Sequence, residues 1–273
     1  LEFGGIPVAR KESTKHIGFH LDEKLDFKVH VAEAITKATT GLALLKFISH
    51  FLDRTRLDLA YKMHVRPHLE YGDVIFHERS KTLMKSIESI QIQAANIVAG
   101  CWKGTNAHKL YKELGWESLS DRRTFHRLTK YYEIINNKTP AYLRELLLSS
   151  PPPASASQRY LNSFFPFCYL KWQNLDPLVK NSQSVDSFKS KYIKTIRPNK
   201  NSTFNIRDRK GLSLLTRMRV TFSDLRDHRF NHNFFCPSPI CKCGIEIESN
   251  EHFLLCCCLY TPYRVIRVIM LGN

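Results

Sequence analysis

Apolar positions change period along this chain, and the changes divide it into elements. Over residues 15–25, KHIGFHLDEKL, Ile17, Phe19 and Leu21 alternate with His16, Gly18 and His20, which predicts a short strand and a turn. Val31, Ile35, Ala38, Leu42, Leu45 and Leu52 then recur at helical spacing without an intervening proline, so residues 28–52 are expected to form one long amphipathic helix. Asp53 is placed to cap a second helix over 54–69, with Leu57, Tyr61 and Val65 on one face before Pro67 disturbs it. Ser80 caps a third over 81–99, with Leu83, Ile87, Ile90, Ala94 and Ile97 inward and Gly100 ending it. Three such helices on short loops predict a bundle.

A short helix around Leu110 follows, then a longer one capped by Ser118 or Ser120 that turns Phe125, Leu128, Tyr132 and Ile135 inward. Thr139-Pro140 opens a further helical stretch, YLRELLL. SSPPPASASQ, at 149–158, has too little apolar mass to pack and enough proline to stay extended, so it reads as a linker. Beyond it FFPF and the Trp172 segment are expected to be buried, and SFKSKYIKTIRP to be a helix stopped by proline.

Charge then changes the picture. Lys and Arg number 41 against 25 Asp and Glu, a net charge of +16, which favours polyanionic partners because each neutralised phosphate releases condensed counterions. The least balanced stretch, Lys189 to Arg229, holds twelve Lys and Arg against Asp208, Asp224 and Asp227, interleaved with Tyr192, Phe204 and Phe222. Lys189, Lys191, Lys194, Arg217, Arg219, Arg226 and Arg229 are the candidate phosphate-contacting residues. Trp102, Trp116 and Trp172 lie beside apolar helix ends and are assigned to the core rather than to base stacking.

The cysteines add a second chemistry. Six of the eight fall between Cys236 and Cys258, which argues for metal binding inside a reducing cell rather than a disulfide framework. Cys241, Cys243, His252 and Cys257 offer three thiolates and an imidazole, a set that can complete a tetrahedral Zn²⁺ shell and hold a module that has little core of its own. Cys256 and Cys258 are alternatives to Cys257, and Cys236 is a weaker candidate. Two-metal polymerase or nuclease chemistry needs paired carboxylates, and the chain has no Asp-Asp dipeptide; Asp22, Glu23 and Asp26 suit solvation and capping of the strand-to-helix turn. His16, His20 and His30 share no single face. No signal peptide or bilayer-spanning run is present, so an intracellular protein of nucleus or cytoplasm, without a membrane role, is expected. The opening Leu1 suggests a fragment.

KHIGFHLDEKLDF, RPHLEYGDVIF, ESIQIQAA, ELGWESLSDRR, NNKTPAYLRELL, NSFFP, SFKSKYIKTIRPN, FNIRDRKGLSLLTRMRV and EHFLLCCCLY occur in this order. Together they resemble the C-terminal region of a non-LTR retrotransposon reverse transcriptase of the jockey-like group, from about Lys15 to Arg264. The resemblance implies that residues 15–25 are the last strand of the palm, that the helices to about residue 100 are the thumb and that the cysteine module is a zinc-knuckle-like tail; with the composition, the expected division is a palm-like strand and turn at 1–25, a helical thumb-like domain at 26–148, a linker at 149–160, a basic helical connector at 161–235 and a zinc-knuckle-like module at 236–273. It matches Cys241, Cys243, His252 and Cys257 to the family's ligands and so favours Cys257 over its neighbours. The family's catalytic aspartates, on a Tyr/Phe-x-Asp-Asp hairpin, have no counterpart here. The linker is shorter than usual, and Thr124 stands where relatives carry an aromatic residue.

The expectation is thus a mainly α protein: a thumb-like bundle, a basic connector and a zinc module. It binds RNA, DNA or their hybrid as the C-terminal part of an RNA-directed DNA polymerase, beside the remainder of that polymerase, and is not an enzyme as this chain. The rival expectation is a domesticated structural or protein-interaction module with no nucleic-acid role.

Overall fold

The computed structural model describes residues 2–3, 6–7, 11–76, 80–198 and 208–262. Lys200, Phe204 and Arg207 of the basic run, and residues 263–273 of the expected C-terminal module, lie outside them. The described residues are mainly helical, as the periodicity predicts. Two small antiparallel hairpins come first, β1 (Glu2–Phe3) with β2 (Ile6–Pro7) and β3 (Ser13–His16) with β4 (Phe19–Asp22).

The second hairpin corrects the expected strand. Ile17 and Gly18 form its turn, both at positive φ (48° and 77°), so Ile17 is 80% exposed and only Phe19 of the alternating set is buried. Asp22 then behaves as the capping residue expected of it: its carboxylate accepts the amides of Asp26 (2.8 Å) and Phe27 (2.6 Å) where the chain enters α1 (Lys28–Ile48).

α1 is shorter than the predicted 28–52. The Ser49 amide and hydroxyl both turn back to the Lys46 carbonyl (3.3 and 2.7 Å), closing the helix before Asp53 caps α2 (Arg54–His64) through the Arg56 amide at 2.9 Å. The predicted helix at 54–69 divides in two at Val65, because Pro67 has no amide to continue the ladder; α3 (Arg66–Glu70) restarts around it and α4 (Asp73–Phe76) follows. α5 (Lys81–Ala99) has the expected ends, Ser80 accepting from the Leu83 amide and Gly100 closing at φ 70°.

α1 packs on α2, α3 and α5, and α6 (Ala107–Leu114) packs on α5. Val31, Ala38, Leu42, Leu45, Leu57, Tyr61, Ile87, Ile90 and Ala94 are buried in one core, with Ile35, Leu52, Leu83 and Ile97 packed partly buried against it. Trp116 is 4% exposed in that core and stacks on Tyr61 (4.1 Å between centroids), the structural role expected for it.

α7 (Leu119–Ile135), capped by Ser118, is the shared wall of the molecule. Leu128 and Tyr132 meet Val179, Phe188 and Tyr192 in a second core, while Tyr131 meets Phe167 and Cys168 in a third. The elements supplying these residues are α10 (Phe164–Gln173), α11 (Pro177–Lys180) and α12 (Val185–Ile196). Between α7 and α10 lie α8 (Ala141–Glu145), which stops before the last three leucines of the YLRELLL run, and α9 (Gln158–Leu161). α13 (Arg209–Arg219) and α14 (Arg226–Asn231) complete the helices among the described residues. None of these helices is long and apolar enough to cross a membrane.

Candidate metal centre and basic surface

α13 is brought to the bundle by buried charge. Arg54 of α2 reaches Glu113 Oε1 (3.0 Å), the Ala99 carbonyl (3.1 Å) and Thr216 Oγ1 (2.6 Å), and Arg219 shares Glu113 at 3.1 Å. Gly100 is what lets α13 approach: a Cβ there would lie 2.0 Å from Ser213 Oγ. The segment after α14 therefore folds from a fixed base. Arg226 of α14 holds Glu248 Oε2 by its amide (2.8 Å) and the Ser238 carbonyl by its side chain (3.2 Å), and Asn250 donates to the Met218 carbonyl (3.0 Å).

On that base residues 239–248 form a tight loop. The Glu248 amide bonds the Pro239 carbonyl (2.9 Å), the Cys241 amide bonds the Glu246 carbonyl (2.8 Å), and Ile240 bridges Ile247. Gly244, at φ 78°, makes the reversal inside it, with its amide on the Cys241 carbonyl (2.9 Å). Cys241 and Cys243, two apart in the turn, consequently face one centre. A π-helical segment, His252–Cys256, supplies the other pair: the Cys257 amide bonds the His252 carbonyl five residues back (2.7 Å).

The four side chains predicted from sequence converge. One donor atom from each of Cys241, Cys243, His252 and Cys257 lies within 4.8 Å of every other. Cys241 Sγ and Cys257 Sγ are 3.6 Å apart, and Cys243 Sγ is 3.3 Å from His252 Nε2. A tetrahedron with metal–sulfur bonds of about 2.3 Å and a metal–nitrogen bond of about 2.05 Å has edges of about 3.5–3.8 Å, so these pairs sit near the required spacing. Cys241, His252 and Cys257 are buried and Cys243 is half-buried. Among the described residues this is the one group of three or more His, Cys, Asp or Glu side chains whose donor atoms converge, and it can hold a metal ion.

The alternatives separate by exposure. Cys256 and Cys258 point to solvent, and Cys236 Sγ turns to the Ser238 carbonyl (3.2 Å). Electrostatics divides the thiols as well. Burial pushes Cys241 up to about 12, whereas the Ile245 amide holds Cys243 down to about 6, so Cys243 becomes a thiolate before Cys241. Two carboxylates escaped the sequence reading: Glu246 lies 3.3 Å from His252 Nδ1, off the hydrogen-bond line, and Glu248 accepts from Cys241 Sγ at 3.6 Å. Their signal was the alternation in CKCGIEIE, which puts an acid beside the ligand turn.

The seven basic candidates differ in exposure and in partners. Lys189, Lys191 and Lys194 are exposed on α12, where Lys191 Nζ also bonds the Leu178 carbonyl (3.0 Å). Arg217, Arg219, Arg226 and Arg229 are half-buried. Arg217 stacks over Trp102 (4.6 Å to the ring centroid) and donates to the Gly100 carbonyl (2.9 Å), while Arg219 and Arg226 make the bonds described above. The pairing of Arg217 with Trp102 joins residues far apart in sequence and leaves no local signal.

No family model matches the chain, and no solved structure matches it. Over 152 residues, 54% of this chain, it is 25% identical to the probable RNA-directed DNA polymerase from transposon X-element of Drosophila melanogaster, and the match covers 16% of that protein. The chain is thus related to a region of a retrotransposon reverse transcriptase and corresponds to a small part of that relative's length.

Proposed function

We propose that this chain is the nucleic-acid-gripping, catalytically incomplete C-terminal portion of a non-LTR retrotransposon RNA-directed DNA polymerase. The similarity to the X-element polymerase carries the reading, and the net charge of +16 supports it. Its partner is RNA, DNA or their hybrid, and its action is grip. Lys189, Lys191 and Lys194 touch phosphates directly, with Arg229 beside the metal module. Arg217, Arg219 and Arg226 hold α13 and α14 in place for that contact. The metal is Zn²⁺, because three thiolates and an imidazole in a closed tetrahedral set favour it over harder cations. There it is structural: a closed shell leaves no position for substrate.

Equilibrium binding of a labelled RNA–DNA hybrid tests this. K189Q/K191Q/K194Q should weaken binding to all sequences alike, since phosphate contacts carry no base information. Unchanged affinity would remove these lysines from the interface. A second reading, a domesticated protein-interaction module, draws on Phe47 and Phe51, which are 68% and 77% exposed with their rings 6.0 Å apart at the end of α1. Under it, the wild-type chain binds no hybrid.

A further inference from the structure

A cavity of about 720 Å³ opens between α5, α6, the start of α7 and α9, away from the metal centre. Its wall is cationic. Lys81 and Lys85 stand one turn apart on α5, His108 projects from α6, and the buried Arg123 comes from α7. Lys81 and Lys85 are exposed and meet no carboxylate at ion-pair distance among the described residues. Glu88 is the carboxylate on this wall, and its oxygens already accept the Tyr111 hydroxyl (2.5 Å) and the Leu119 amide (3.2 Å). Met84, Ala107 and Tyr111 supply an apolar side.

Two exposed lysines beside one committed carboxylate select an anion, and an apolar wall beside them selects one with a flat hydrophobic part. The volume falls within the range of about 300–1,000 Å³ typical of small-ligand sites, which suits a single nucleotide and excludes a base-paired duplex. We propose that this cavity takes one unstacked nucleotide of a single strand, its phosphate between Lys81 and Lys85 and its base along Met84, Ala107 and Tyr111. This deepens the nucleic-acid reading above and adds to it a preference for unpaired ends or overhangs.

The test uses the full chain with two labelled probes, a 12-nucleotide single strand and a blunt RNA–DNA hybrid of the same length. Ala107→Trp fills the cavity without changing charge; if thermal melting shows that it fails to fold, Met84→Trp fills it from α5. Either should lower single-strand affinity at least tenfold and leave hybrid affinity within twofold, and K81Q/K85Q should also lower single-strand affinity about tenfold. Wild-type binding of both probes with single-strand affinity unmoved by the filling variant would overturn the cavity while leaving the grip intact. Wild-type binding of the single strand alone, lost on filling, would support the cavity and contradict the grip on hybrid. Binding of neither probe would overturn both.

Discussion

Cys257 differs from Cys256 and Cys258 in one respect, the direction in which the π-helical turn points it. That turn buries the Cys257 thiol against Cys241 and leaves its neighbours in solvent. Thiol labelling of the zinc-loaded protein should therefore modify Cys256 and Cys258 quickly. Cys101 and Cys168, both pushed up to about 12 by burial, should react only on unfolding, and rapid labelling of Cys168 would contradict its buried place against α7. Ligand identity was readable because donor types and spacing survive in the sequence. The choice among three adjacent cysteines rested on resemblance, since alternation alone cannot state which way an irregular turn faces. A second residue-scale prediction concerns Glu33. The ammonium of Lys37, followed by that of Lys15, holds its carboxyl down to about 2 from an ordinary 4.5. A depressed carboxyl contributes stability that is complete above about pH 4.5 and is lost as the pH falls toward 2. Glu33→Gln should flatten the acid limb of a stability–pH profile in that window, and an unaltered acid limb would show that these surface contacts contribute nothing.

At the scale of elements, helices announced themselves where a cap and a period agreed. Ser80, Asp53 and Ser118 each accept from the amide three residues on, and α5 begins and ends where its capping residues require. Errors fell where backbone chemistry overrode side-chain period: at Ser49, at Val65 before Pro67, and at Ile17 in the hairpin turn. Leu42 faces the bundle core, so Leu42→Asp should cost about 3–5 kcal/mol by placing an unpaired charge there, and an unchanged melting temperature would turn that stripe to solvent. Gly41 had no signal in the pattern, yet a Cβ on it would lie 2.4 Å from the His64 carbonyl. Gly41→Ala should force α1 from α2 and cost about 1–3 kcal/mol, read as a lower midpoint in urea unfolding.

For the whole molecule, what the sequence could not show is how distant segments meet. Arg54, Glu113, Thr216 and Arg219 join α2, α6 and α13, and no periodicity relates these positions. Removing one partner of such a buried set leaves charge without compensation, so Glu113→Leu should cost about 3–5 kcal/mol and loosen α13 together with the metal module behind it. Chelation should separate the layers differently. Stripping zinc is expected to unfold the segment around 236–262 while the helical circular dichroism signal, which comes mainly from α1, α5, α7 and α12, changes little. A chain that purifies without zinc in its reduced state would remove the metal from the account. The central claim is that this assembly grips nucleic acid through phosphates, and the salt dependence of RNA–DNA hybrid binding tests it most directly. The account predicts that log K falls linearly with log salt at a slope of about −3 to −4, corresponding to four or so contacted phosphates at about −0.9 each, and that K189Q/K191Q/K194Q flattens it by about three. A wild-type affinity that does not respond to salt, or a triple variant with the wild-type slope, would contradict it.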